Sequence, residues 1–298
     1  MRSLDDHRPD DSTESRESIE ADSAAPLMPM PPAYTSAAEA SASGERGITA
    51  TPWTFRQMVI GALWTLIPWL TFSLGSIYLL GSSTATTTTT SAKPPSVALD
   101  AIGGVIDFII SALLEAIFLI APALVVFSRR LPAAPFRERM RWLGFRTTPL
   151  VPAVVIVVVG LVIGLGGSLI YSQLITYFHL PLTTNSETLL REGRTAPLTT
   201  LGILAAAALV APFCEEVFFR GFVFVGLLKR VPLWPSIILS AAIFGVAHAD
   251  IGSLAPLFII GLALAWARWR SDSIWPGMVI HAANNTAAAL FLLPYLLK

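Results

Sequence analysis

Cysteine occurs once in the 298 residues, as Cys214, and histidine only four times. A single cysteine excludes an intramolecular disulfide and a four-cysteine zinc site. Charge is also scarce. Asp, Glu, Lys and Arg make up 13% of the chain, against about 25% in ordinary soluble proteins. The basic and acidic residues cancel to a formal net charge of +0, so no global field points to nucleic acid or to another strongly charged partner. The beginning of the chain lacks the basic start, short apolar core and small-residue cleavage site of a secretory signal.

What the chain has in abundance is hydrocarbon. Hydrophobic residues are 54% of it and mean hydropathy is +0.65. They come in blocks that match the roughly 17–25 residues needed to cross a bilayer. The expected fold is all-α, a polytopic transmembrane helix bundle with about seven spans, or eight. The runs are Met58–Leu80, Ala101–Phe127, Val151–Tyr177, Leu198–Leu228, Pro235–Ala249, Leu254–Trp269 and Trp275–Leu297. Pro68, Pro122, Pro212 and Pro256 interrupt several of them, which membrane helices tolerate because neighbours re-satisfy the freed backbone groups. The fifth and sixth runs are short and joined through "DIGS", so a tilted or partly re-entrant course is also open.

Three segments follow from composition. Residues 1–52 mix charge, Ser, Ala and Pro without apolar periodicity and are expected to be a disordered cytoplasmic tail. Residues 53–136 hold the N-terminal transmembrane helices and the Thr-rich loop "GSSTATTTTTSAKPPS", and residues 137–298 form the membrane core. Basic residues set the orientation. Arg129, Arg130, Arg137, Arg139, Arg141 and Arg146 crowd one loop, Lys229 and Arg230 close the fourth run, and Arg268 and Arg270 close the sixth. Only Lys93, Arg191 and Arg194 fall in the opposite loops. The N-terminus is therefore expected in the cytoplasm, and the protein in a bacterial plasma membrane.

The scarce polar residues sit in the wrong places for a passive bundle. An ionised acid near the middle of a membrane helix costs about 2.5–3.5 kcal/mol on insertion scales and is a functional hypothesis by default. "CEEVFFRG" puts Glu215, Glu216 and Arg220 inside the fourth run; His248 lies in the fifth; His281, Asn284 and Asn285 lie in the seventh; Asp107 and Glu115 lie in the second. At 1.5 Å per residue, Glu215 is roughly 21 Å, His248 roughly 20 Å and Asn285 roughly 15 Å from the same basic edge. Three helices thus bring polar groups into one layer. Glu216 and Arg220 are i and i+4 and can pair, while Glu215, turned about 100° away, is left for another partner. His281 and Asn285 share the same spacing, as do Phe244 and His248.

Each residue also has a plain structural reading. The Glu216–Arg220 pair can be a packing lock, and His248 or Asn284 an interhelical contact. Asp107 and Glu115 read as structural or accessory, Cys214 as a small buried apolar residue, and His179 as solvated. A layer of Glu, His, His and Asn asks for a common cause, and that weakens these readings jointly.

"EEVFFR" (Glu215–Arg220), "FGVAH" (Phe244–His248) and "HAANN" (His281–Asn285) resemble, in order, the EExxxR, FxxxH and HxxxN motifs of the CPBP intramembrane proteases. That family includes the type II CAAX prenyl endopeptidases, or Ras-converting enzymes, and the lysostaphin resistance protein A-like proteins. The resemblance covers roughly Arg137 to Leu293. It implies hydrolysis of a peptide bond in a membrane-associated, prenylated or peptide substrate. By the same resemblance Glu215 is the general base, His248 its partner, His281 and Asn285 the groups that hold the oxyanion, and Glu216, Arg220 and Phe244 the supports. It leaves open a divalent metal, zinc by ligand type, on Glu215, His248 and His281. The partners it implies are membrane lipid and a peptide or membrane-protein substrate, with no nucleic acid. The rival classes are a non-proteolytic scaffold or bacteriocin self-immunity protein, and a proton-coupled transporter. A transporter would favour an inverted repeat, which the sequence does not display. A thiol protease using Cys214 is disfavoured because Cys214 would point about 100° away from Glu215.

Overall fold

The structure, a computed structural model, describes residues 47–48, 50–84, 95–182, 189–190, 193 and 195–296. The tail up to residue 46, most of the Thr-rich loop, and Lys93, Arg191 and Arg194 lie outside the described residues. Within them every regular element is helical. Helix α1 is Phe55–Thr84; α2 is Val97–Glu115, continued through a 3₁₀ turn at Ala116–Leu119 into α3, Ile120–Val126. Helix α4 is Phe136–Trp142 and α5 is Leu150–Tyr177. The fourth run is broken into α6 (Pro197–Leu209), α7 (Ala211–Glu215), a π-helical stretch (Glu216–Val223) and α8 (Phe224–Leu227). Helices α9 (Leu233–Ala247), α10 (Leu254–Ser271) and α11 (Trp275–Leu296) complete the chain.

By length and composition, five stretches can cross a membrane: Phe55–Leu79, Val97–Val126, Leu150–Tyr177, Pro197–Leu227 and Trp275–Leu296. Helix α9 is apolar but shorter, and α10 carries Arg268 and Arg270 in its last turn. The two short runs of the sequence are therefore helices tucked into the bundle, where α9 packs on α10 and α10 on α5. The molecule is a helical membrane bundle. Its outer faces carry Trp64, Ile67, Leu124, Val162 and Leu169 exposed, a surface suited to lipid and not to water.

Small residues decide which helices touch. Gly103 and Gly104 of α2 lie against Leu198 and Thr199 of α6. Along α5, Gly160 faces Ile280 of α11, and Gly164 and Gly167 face Ile260 and Ile259 of α10. Close backbone approach of this kind is how helices associate where lipid removes the hydrophobic drive. Inside, Phe118, Phe218, Phe219, Phe222 and Phe244 are buried in one cluster. Ring centroids of 5.5 Å for Phe118–Phe219 and 5.2 Å for Phe219–Phe244 link α3's 3₁₀ turn to α9 through the π stretch.

The basic segments gather at one end. Arg146 pairs with Asp272 at 2.6 Å and Arg268 with the same carboxylate at 3.2 Å. Arg146 also donates to the Gly47 carbonyl at 3.0 Å, and Lys229 to the Thr51 carbonyl at 2.6 Å. Ile48, Thr51 and Trp53 are buried there. The last residues that composition gives to the tail thus belong to the folded body, because their apolar side chains find the end of the core.

Candidate active site

The site begins where the fourth run breaks. Pro212 has no N–H to continue the α6 ladder, so the helix interrupts at Val210 and restarts as α7. After Glu215 the turns widen to π geometry, and all eight residues of Glu216–Val223 are buried. Short π segments within helices concentrate at functional sites. The freed end of α6 is met from α11: Asn285 donates its side-chain amide to the Ala207 carbonyl at 2.8 Å. One hydrogen of the expected oxyanion donor is therefore engaged in joining helices.

Glu216 and Arg220 form the expected i, i+4 pair, 2.9 Å apart and completely buried. The guanidinium lies 4.2 Å from the Phe244 ring centroid and reaches the Gly261 carbonyl at 3.5 Å. Phe244 thus supports the cation from α9, while the carboxylate neutralises it from its own helix.

His281 comes between the two acids. Its Nε2 is 3.8 Å from Glu215 Oε2 and its Nδ1 is 3.5 Å from Glu216 Oε1. The expectation that the two acids face different partners is met only in part, since one imidazole reaches both. Gly277, one turn before His281, permits this: a Cβ there would stand 2.5 Å from Glu216 Oε2.

His248 caps α9. Its Nδ1 lies 2.8 Å from the Phe244 carbonyl, which can only accept, so Nδ1 carries the hydrogen. In the neutral ring Nε2 is then the acceptor. The following residue, Ala249, is left-handed with φ 52°, and this reverses the chain directly behind the imidazole. Phe244 packs edge-on to both histidines, 4.8 Å from His248 and 5.6 Å from His281.

Glu215 and His248 border a cavity of about 210 Å³, lined also by Trp69, Glu115, Phe118, Phe219 and Ala247. Trp69 of α1 holds it shut on one side by donating its indole N–H to the Ala247 carbonyl at 2.7 Å. The volume is ample for water, which needs roughly 10–15 Å³ on this measure. Glu215 Oε2 is buried and receives no hydrogen bond, so it is open to a proton donor in the cavity.

The structure thus brings together Glu215, Glu216, Arg220, Phe244, His248 and His281, with Asn285 on the same helix as His281. Cys214 is buried and is not among the cavity walls. The sequence reading missed Trp69 and the part of Glu115. An acid inside an apolar run was the available signal for Glu115, but nothing in spacing tied it to Glu215. Among the described residues no group of three or more His, Cys, Asp or Glu is arranged to hold a metal ion. Glu215, His248 and His281 as placed therefore do not form a ready zinc set.

Residues 197–287 match the family model described as type II CAAX prenyl endopeptidase Rce1-like. A Bacillus subtilis (strain 168) protein named "Putative membrane peptidase YdiL" is 27% identical over 109 residues. Those residues are 37% of this chain and 43% of that protein, so the chain spans less than half of the relative's length. No solved structure matches. The matched segment runs from α6 into α11 and contains every residue of the three motifs, so it is through this segment that the chain is similar to the type II CAAX prenyl endopeptidase Rce1-like family.

Proposed function

We propose that this protein is a membrane peptidase that hydrolyses a peptide bond at the Glu215–His248–His281 cavity. The observation that carries the reading is the unsatisfied Glu215 Oε2, on a carboxylate that borders with His248 a cavity roomy enough for water, while His281 Nε2 lies 3.8 Å away.

A cavity water can offer its hydrogens to Glu215 and to Nε2 of His248. As its oxygen adds to the scissile carbonyl carbon, Glu215 takes its proton. The carbonyl π electrons move to the carbonyl oxygen, which the His281 imidazole stabilises, aided by the second amide hydrogen of Asn285. Collapse of the tetrahedral species breaks the C–N bond, and the departing amine receives the proton from Glu215. The Glu216–Arg220 pair and Phe244 hold the imidazoles without entering the reaction. No step is routed through a metal; dialysis against a chelator, followed by return of zinc, measures whether an ion contributes.

For the substrate, the family description favours a prenylated or membrane-associated peptide. For orientation, the arginine loop at Arg129–Arg146 is proposed to face the cytoplasm of a bacterial cell; cysteine labelling of that loop from outside intact cells would contradict it. The central test compares the peptides and proteins of membranes carrying the wild-type chain or Glu215→Gln. An uncut species that accumulates with the variant is the expected result. If the two membranes are alike and the variant keeps the protein's biological effect, a scaffold or self-immunity role replaces the peptidase.

A further inference from the structure

His248 stands at the C-terminal end of α9, and helix ends fray unless something holds them. The last carbonyls of a helix also lack intrahelical donors. Here a donor arrives from another helix. The indole N–H of Trp69, on α1, reaches the Ala247 carbonyl at 2.7 Å, one residue before the histidine. Phe118 packs against that indole with ring centroids 4.9 Å apart.

The far side of the turn is held in the same manner. The chain reverses at Ala249, φ 52°, and the Gly252 N–H closes on Asp250 Oδ1 at 3.0 Å. The Gly252 carbonyl then accepts the O–H of Tyr171, on α5, at 2.6 Å. Between the two pinned carbonyls lie His248 and the left-handed residue that turns the chain. The imidazole is tied by Nδ1 to the Phe244 carbonyl at 2.8 Å, so the direction of Nε2 follows the backbone position that the two bonds set.

Hydrogen bonds between helices also serve a membrane bundle for its own sake. These two differ in where they end. Both close on carbonyls of one turn, 247–252, and that turn carries a histidine of the cavity wall. We infer that Trp69 and Tyr171 are positioning residues for His248, which clamp the two ends of its turn and so aim Nε2 into the cavity. Both stand on helices outside the 197–287 match. A reacting group must be held within about 0.5 Å of its productive place, and a helix end without the clamp does not meet that demand. The consequence for rate rests on the peptidase reading; the clamp itself does not.

The test uses the full chain in detergent, with Trp69→Phe and Tyr171→Phe. Each keeps a ring and deletes one donor. Thr176→Val is the control, since it deletes a different α5 hydrogen bond, the one to the Ser172 carbonyl at 3.0 Å. Magnetic resonance of isotope-labelled histidine follows exchange of the His248 Nδ1 hydrogen with water; the signal missing from His248→Gln identifies it. Exchange should be about two- to tenfold faster in each clamp variant, the share of one neutral hydrogen bond, and unchanged in Thr176→Val. Cleavage of a quenched fluorescent farnesyl peptide gives the second readout. Trp69→Phe also alters the cavity wall, so Tyr171→Phe isolates the clamp: kcat should fall about two- to tenfold with KM little changed. The inference is overturned if either folded variant exchanges at the wild-type rate, if Thr176→Val speeds exchange as much, or if Tyr171→Phe exchanges faster but keeps the wild-type kcat. Faster exchange in both variants, with a wild type that cuts nothing, would uphold the clamp and count against the peptidase reading.

Discussion

Two buried carboxylates in this bundle live in opposite surroundings. Asp100, at the seam of α2 and α6, accepts hydrogen bonds from the Leu198 and Thr199 backbone N–H groups at 2.9 Å each, and from the Thr199 hydroxyl at 2.8 Å. It caps the first turn of α6, where free N–H groups and the positive end of the helix dipole favour an anion. Glu215, beyond the end of the same helix, lines a cavity with another acid, Glu115, lies 3.8 Å from the His281 imidazole, and its Oε2 receives no donor. Buried polar groups are normally satisfied, and an unsatisfied one calls for an explanation. Asp100 spends its lone pairs on the fold. Glu215 leaves one oxygen unengaged.

The contrast is most exposed to test at Glu215. Replacing it by Gln should reduce cleavage by about 10²–10⁴, the share of a positioned general base, while the melting temperature in detergent holds or rises slightly. Activity that survives in a well-folded Glu215→Gln protein would remove Glu215 from the role of base. Next comes the pair beside it. Glu216→Ala or Arg220→Ala leaves one buried charge alone, at a cost of about 3–5 kcal/mol. The yield of folded protein in the membrane should fall together with activity; a variant as stable as wild type would show that the pair is no lock.

Asp100→Ala should act on the fold alone. Loss of the cap costs about 0.5–2 kcal/mol, read as a lower melting temperature, and cleavage per folded molecule should stay near wild type. An equal loss of specific activity would blur the distinction between the two acids. The smallest effect is expected behind His248. Ala249 is held at φ 52°, where a Cβ costs about 1–2 kcal/mol that glycine avoids. Ala249→Gly should therefore raise stability by up to about 1 kcal/mol once the greater freedom of glycine in the unfolded chain is deducted. A lower melting temperature would refute the strain.

Much of the site was open to reading before any coordinates. The motifs name Glu215, Glu216, Arg220, Phe244, His248, His281 and Asn285, and helical rise puts them at compatible depth because a membrane fixes where each span begins. Other features were not accessible in this way. That Glu115 lines the same cavity as Glu215 depends on how α2 packs against α7, which hydropathy does not encode. The π stretch after Glu215 is a departure from the α-helical spacing on which the pairing argument relied; the Glu216–Arg220 pair survives it, while the idea that the two acids face apart survives only in part. Burial of Ile48 was hidden because an isolated apolar residue in a polar tail has no periodicity of its own.

Hydrophobic run length and scarcity of charge were enough to dictate a helical membrane bundle, since a backbone in lipid must satisfy its own hydrogen bonds. Residue identity at i, i+4 spacing was enough to join Glu216 to Arg220, because that contact lies within one helix. Everything that crosses between helices was decided by packing: His281 between the two acids, Asn285 on Ala207, Trp69 on Ala247, and Glu115 in the wall of the cavity that His248 also lines. These contacts depend on interhelical distance and rotation. Both are set by where glycines let backbones approach and where aromatic rings hold them apart, and local sequence carries no measure of either.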